Sequence, residues 1–171
     1  FLLEMCHQVA LHDQAVHAGE WTRRPDFCFW KSPQMELAGK RMGIIGMGRI
    51  GRRVGEIAHA FGMEVMAASR TMTDPPGYAG FRWGTTDKVF RESDVVSLHC
   101  PLTEQTKGLV CRETLGLMKR TAFLINTGRG PLINEQDLAD ALRQGVIAGA
   151  AVDVVSAEPI QADNPLLACP N

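Results

Sequence analysis

The sequence lacks the features that tie a chain to a membrane, a nucleic acid or an oxidising compartment. No apolar run is long enough to cross a bilayer, and no secretory leader pattern can be read in it. An excess of one charge is missing as well. Lys and Arg number 18 against 19 Asp and Glu, a formal net charge of −1. That balance offers no electrostatic case for nucleic acid or an anionic lipid surface. There is no C-x-x-C pair; Cys6, Cys28, Cys100, Cys111 and Cys169 are scattered and odd in number. Reduced thiols in the cytoplasm fit this better than a disulfide framework. His7, His12 and His17 recur every five residues, which on a helix turns each about 140° from the last, so they do not converge on a metal. Internal repeats and low-complexity segments are absent too.

What remains is an ordinary globular composition. The chain has 171 residues, 45% hydrophobic and 22% charged, enough for one domain with a full core. It starts at Phe1 rather than methionine and stops at Asn171 in mid-pattern, so it reads as a piece of a longer chain.

The most informative stretch is 42–51, Met-Gly-Ile-Ile-Gly-Met-Gly-Arg-Ile-Gly. A short apolar run enters a turn with Gly46, Gly48 and Gly51 in the pattern G-x-G-x-x-G. Ile50, Val54, Ile57, Ala58 and Phe61 then recur at helical spacing until Gly62, and 64–68 reads as a second strand. Strand, glycine turn, helix and strand form the unit in which this motif binds a diphosphate at a helix N-terminus. Gly46 allows the turn, Gly48 lets backbone approach the phosphates, and Gly51 lets the helix lie close to the strand. The competing reading is a structural turn without nucleotide.

Elsewhere 1–18 looks helical, with Leu2, Leu3, Cys6, Val9 and Ala10 on an apolar face. Residues 19–38 hold Trp21, Phe27, Phe29 and Trp30 without clear periodicity. Such an aromatic arm either folds back on its own unit or buries against a partner chain. Further strands are expected over 94–99, 122–126 and 148–154, five in all. Helices are expected over 85–92, with Val89 and Phe90 inward, over 107–118, and after Asn134 as cap, ending at Gly145. Alternation of this kind implies an α/β fold, a Rossmann-like parallel sheet with helices on both faces.

Ligands of such sheets bind beyond the carboxyl ends of the strands. That places 46–51, Ser69 with Arg70, Cys100 with Pro101, 127–130, and Asp153 with the loop to Pro159 along one edge. At the end of the second strand NAD binders place Asp or Glu on the ribose hydroxyls. Here Ser69 would not repel a 2′-phosphate, and Arg70 can pair with one in bidentate fashion. NADP is the cofactor favoured by this pair; a solvated Arg70 with NAD bound is the alternative. Arg129 stands between two glycines, where it can clamp a carboxylate and polarise a carbonyl, or simply form a loop salt bridge. Asp153 and Glu158 can serve acid–base chemistry, or one can orient a histidine. His99 is not favoured as the base.

Together these pieces resemble the D-isomer-specific 2-hydroxyacid dehydrogenases over nearly the whole chain. The resemblance rests on Glu36-Leu37-Ala38-Gly39-Lys40 and the glycine motif with Arg49-Ile50. It continues through His99-Cys100-Pro101-Leu102-Thr103, Thr106 and Gly108. Asn126-Thr127-Gly128-Arg129-Gly130 and Asp153-Val154 through Glu158-Pro159 complete it. Within the family the sequence looks most like the branch of glycerate dehydrogenases and hydroxypyruvate or glyoxylate reductases. The resemblance implies that Arg129 binds the substrate carboxylate and carbonyl. It implies that Glu158 pairs with a catalytic histidine in a Thr-Pro-His segment beyond Asn171; no metal is expected, given the histidine spacing. Arg49 and Ile50 would give amides to the diphosphate, Cys100, Pro101, Thr106, Thr127 and Gly128 would line the cofactor, and Asp153 would meet the nicotinamide. It further implies that 1–18 is part of an interdomain helix and 19–38 an arm wrapping a homodimer partner. Residues 39–171 would be the dinucleotide-binding domain, with most of a second, substrate domain missing. The implied substrates are small D-2-hydroxy and 2-keto acids, and this piece alone would bind cofactor without turnover. Phosphoglycerate and formate dehydrogenases, or a dinucleotide-sensing corepressor of the same fold, are the alternatives.

Overall fold

The computed structural model describes residues 1–171, which divide into two compact units, 1–36 and 37–171. In the first, a helix over Leu2–His7 (α1) is followed at once by one over Val9–His17 (α2). The single helix expected over 1–18 is broken at Gln8, whose φ of 46° is left-handed and cannot continue a right-handed helix. Of the expected apolar face only Cys6 is buried, while Leu3 and Val9 are exposed. Part of the aromatic arm folds back on its own unit. The Phe29 ring lies 6.2 Å from that of His12 and 6.4 Å from that of Trp21, and Trp21 Nε1 donates to Phe27 O at 3.1 Å. Phe27 and Trp30 do not join it and are 90% and 68% exposed.

The second unit is built on a sheet. Its strands are Arg41–Ile45 (β1), Glu64–Ala68 (β2), Phe81–Trp83 (β3), Val95–Leu98 (β4), Phe123–Asn126 (β5) and Gly149–Val152 (β6). Their order is β3-β2-β1-β4-β5-β6 and every pairing is parallel. This is the Rossmann-like arrangement, with the strand order reversing between β1 and β4. Helices over Arg49–Ala60 (α3), Thr86–Glu92 (α4), Arg112–Leu115 (α5) and Glu135–Arg143 (α6) link the strands. Alternation along β1 explains how both faces are covered. A Cβ on Gly43 would strike Val89 and Ser93, beside α4, whereas Ile44 lies under Gly51 and Gly55 of α3.

Four expectations are corrected. The sheet has six strands, not five, because β3 is only three residues long and offers no period to read. The helix expected over 107–118 shrinks to α5. Gly108 takes φ 63°, and Val110 bridges to Ile133 with its amide donating to Leu132 O at 2.9 Å. The apolar set read at helical spacing on α3, Ile50, Val54, Ile57, Ala58 and Phe61, turns inward only in part, with Ala58 buried and Val54 half-buried. Gly51, Gly55 and Ala58 are buried, while Ile50, Ile57 and Phe61 are exposed. The helix lies so close to β1 and β2 that only small residues fit between them. Finally, the last strand ends at Val152 rather than 154. The caps at Thr85 and Asn134 form as their residue types require, accepting from Lys88 N and Asp137 N.

At the amino edge of the sheet Asp94 accepts from Arg41 N at 2.8 Å and Lys119 Nζ at 2.7 Å, joining the starts of β1 and β4 to the turn before β5. Burial pushes its carboxyl up, but the Lys119 hydrogen bond, the Arg41 amide and nearby lysine charge outweigh this and hold it below the usual range. A carboxylate depressed in the folded state stabilises above its unfolded pKa of about 3.9 and loses that contribution as pH falls through the folded value. Acid titration of unfolding is therefore expected to show a loss of stability below about pH 4 that Asp94→Asn removes. An unchanged acid limb in that variant would contradict this account.

Candidate functional site

The pairing register sets the site. Ile45 lies beside Ala68 and Leu98, Leu98 beside Asn126, and Asn126 beside Val152, so β1, β2, β4, β5 and β6 end on a common line. Gly46 leaves β1 with φ 99°, its amide donating to Ala68 O at 2.8 Å. A Cβ there would collide with the His99–Cys100 backbone. Gly48 caps α3 and has no atoms near its missing Cβ, so open space stands over the helix start. No side chain caps α3, whose first amides thus have no protein acceptor supplied by a cap. Gly51 sits beneath, against Gly46 O and Ile44.

Above this turn lies a cavity of about 760 Å³. Gly46 and Gly48 form one wall. Ser69 and Arg70 form another, and His99, Cys100, Pro101 and Thr106 close it from the β4 side. Arg70 is exposed and takes part in no ion pair. The far end of its loop is pinned to α3, where Arg52 donates to Asp74 O at 2.8 Å and the Tyr78 ring stacks on His59 at 4.7 Å. Thr106 spends its hydroxyl on the loop itself, donating to Pro101 O at 2.7 Å and accepting from Thr103 N at 2.8 Å. His99 Nε2 pairs with Ser97 Oγ at 2.9 Å, and burial holds its pKa below the ordinary value, so the ring is neutral at pH 7. Burial pushes the Cys100 thiol up, away from thiolate chemistry.

The cavity takes only three of the five groups expected along the edge. Arg49 and Ile50 are exposed on the first turn of α3, and Thr127, Gly128, Arg129, Asp153 and Glu158 lie further along the rim, outside its lining. Arg129 is exposed; its guanidinium donates to Gly128 O at 2.8 Å and meets no carboxylate, so the loop salt bridge is not formed. Buried Asn126, whose role sequence reasoning missed, braces this loop. Its Oδ1 accepts from Gly128 N and its Nδ2 donates to Arg129 O, each at 3.0 Å. Asp153 N donates to Asn126 O at 2.9 Å, and Glu158 Oε1 accepts from Val155 N at 3.2 Å. No group of three or more His, Cys, Asp or Glu side chains is placed to hold a metal ion.

The residues fit a dinucleotide. Unfilled amides at a helix start, open space over Gly48 and a cavity of this size suit a diphosphate and its flanking nucleosides. The family model described as D-isomer specific 2-hydroxyacid dehydrogenase, NAD binding domain, matches residues 1–171. The chain belongs to this family. As a D-2-hydroxyacid dehydrogenase NAD-binding domain it is 49% identical over 170 residues to a hydroxypyruvate reductase of Blautia hydrogenotrophica, covering 99% of this chain and 53% of that protein. It is 42% identical over 172 residues to a glyoxylate reductase of Aeropyrum pernix, covering 99% and 51%. The crystal structure of the TT0316 protein of Thermus thermophilus superposes with a TM-score of 0.82 at 38% identity, covering 99% of this chain and 52% of that one. The dehydrogenase domain thus spans about half the length of the relatives it matches. No helix in it is long and apolar enough to cross a membrane.

Proposed function

We propose that this chain is the coenzyme-binding part of an oxidoreductase that interconverts a small 2-keto acid and a D-2-hydroxy acid, with glycerate/hydroxypyruvate or glyoxylate as substrate and NADP as the preferred coenzyme. The observation that carries the reading is the carboxyl-edge cavity over an uncapped helix start, with Arg70 unpaired at its mouth. Relatives named hydroxypyruvate reductase and glyoxylate reductase support the substrate class.

When bound, the nicotinamide coenzyme supplies or accepts the hydride. The protein's part is binding and field. Amides at Gly48, Arg49 and Ile50 hold the diphosphate, with Gly46 and Gly51 shaping the turn beneath. Ser69 and Arg70 take the 2′-phosphate, and Cys100, Pro101, Thr106, Thr127 and Gly128 border the coenzyme, with Asp153 at its nicotinamide end. Arg129, unpaired and exposed, clamps the substrate carboxylate and stabilises charge growing on the carbonyl oxygen. Glu158 orients and keeps charged the histidine that delivers the proton. We place the protein in the cytoplasm, where its five free thiols stay reduced, and as a homodimer, in keeping with exposed Phe27 and Trp30 on the arm and Ile50, Ile57 and Phe61 on α3.

The test is a screen of the full-length protein with NADPH and NADH against hydroxypyruvate, glyoxylate, pyruvate and 3-phosphohydroxypyruvate. Reduction of the first two with a higher kcat/KM for NADPH is expected. A clear NADH preference removes the 2′-phosphate role of Arg70, and no reduction of any keto acid removes the activity. The 171-residue chain alone is expected to bind dinucleotide in calorimetry without turnover. Sedimentation of the full-length protein reads its oligomeric state, and a monomer would refute the dimer.

A further inference from the structure

Glu135 opens α6, yet its carboxylate does not serve its own helix. The capping of α6 is done by Asn134, whose side chain accepts from Asp137 N. Both oxygens of Glu135 turn instead to the loop that follows β6. Oε1 accepts from Ser156 N at 2.6 Å, and Oε2 accepts from Asn164 Nδ2 at 2.8 Å. The Asn164 amide is held in this orientation because its Oδ1 accepts from Leu166 N at 3.0 Å.

The two anchor points flank Glu158. Between them the loop has little else to hold it, since residues 156–163 are exposed. A second observation acts on the same segment from the other side. A Cβ on Gly130 would overlap the carbonyl of Val155 and the amide of Ser156, so this peptide packs directly against the Gly130 backbone, next to Arg129. Val155 N in turn donates to Glu158 Oε1 at 3.2 Å. The chain of contacts therefore runs from α6 through Glu135 to Ser156, and through Val155 to the Glu158 carboxylate, beside the loop that presents Arg129.

We propose that Glu135 is a positioning residue for the reaction: its carboxylate clamps the loop at Ser156 and Asn164 and so sets where Glu158 stands relative to the Arg129 loop. This rests on the role given to Glu158 above. Glu135 itself touches neither substrate nor coenzyme, and it lies outside the lining of the coenzyme cavity. Alanine at 135 leaves the Ser156 amide and the Asn164 amide without acceptors and frees the loop. Glutamine keeps one oxygen for Ser156 but turns an NH₂ group towards the NH₂ of Asn164, which cannot flip without losing Leu166 N.

The experiment is a double-mutant cycle in the full-length protein, with Glu135→Ala, Glu158→Gln and the pair, read by kcat, by KM for the coenzyme and by melting temperature. A displacement near 1 Å in a reacting constellation costs up to about 10²-fold. Glu135→Ala is therefore expected to lower kcat about tenfold or more, with coenzyme KM unchanged and faster amide exchange over 153–164. Glu135→Gln is expected to fall between it and wild type. In the Glu158→Gln background Glu135→Ala should cost nothing further, because its effect passes through Glu158. A fully additive loss, or unchanged kcat in Glu135→Ala, overturns the proposal while Glu158 keeps its role. Unchanged kcat in Glu158→Gln overturns the role of Glu158 and the positioning proposal with it. Should Glu135→Ala fail to fold, Glu135→Gln carries the same cycle.

Discussion

Replacing Arg129 by alanine in the full-length protein is expected to lower kcat/KM for the keto acid by about 10²- to 10³-fold, the usual effect of removing a donor aimed at developing negative charge. The expectation comes from what surrounds the guanidinium. It is exposed, meets no carboxylate, and makes one hydrogen bond, to the carbonyl of its neighbour Gly128. A structural arginine would be expected to have a partner. The loop beneath is held independently by buried Asn126, so truncating the side chain leaves the backbone in place. Melting temperature and coenzyme affinity should thus change little. Arg129→Lys should recover only part of the activity, because a lysine keeps the charge but not the planar fork. Unchanged kcat/KM in Arg129→Ala would return this residue to an idle surface charge and remove the substrate clamp.

Gly46→Ala should act in the opposite manner, on fold and coenzyme together. At φ 99° the backbone is in a region that L side chains avoid, a cost on the order of 1–2 kcal/mol by itself. The added methyl also meets the backbone of His99 and Cys100, which no rotamer change can clear. Relief requires β1 and β4 to part at the edge where the coenzyme would sit. A fall of several degrees in melting temperature and loss of measurable dinucleotide binding in calorimetry are expected. Gly48→Ala is the control. Its φ is −78° and nothing stands near its Cβ, so stability should hold while the methyl enters the space over the α3 amides and weakens binding. Equal behaviour of the two variants would mean that the turn is not the coenzyme cradle described above.

Much of the architecture could be read from residues because the signals are local. β1, the glycine turn, α3 and β2 follow one another directly along the chain, with Gly46 and Gly62 marking the boundaries. Thr85 and Asn134 sit where a side-chain oxygen can meet an orphan amide, and both do. The errors share another cause. In α3 the apolar residues at helical spacing were Ile50, Val54, Ile57, Ala58 and Phe61; Ala58 is buried, beside Gly51 and Gly55, but Ile50, Ile57 and Phe61 are exposed, because burial there is limited by distance rather than by hydrophobicity. Over 107–118 the residues are competent for helix, yet Gly108 and Val110 lie beside the 131–133 segment, and their amides donate to Pro131 O and Leu132 O instead. β3 exists because β2 offers it an edge.

The site divides along the same line. Chain order alone determined that glycines, Ser69, Arg70, Cys100, Arg129 and Asp153 follow strand ends, since a parallel sheet places every such end on one rim. The roles of Asn126, Gly130 and Glu135 were decided only by tertiary structure. Each acts on a segment distant in sequence or on a neighbour through a buried side chain, and no local pattern records which backbone will come to lie against it. Propensity and periodicity describe a segment's own preferences; a hydrogen bond between Glu135 and Ser156 is a property of two segments brought together by the sheet.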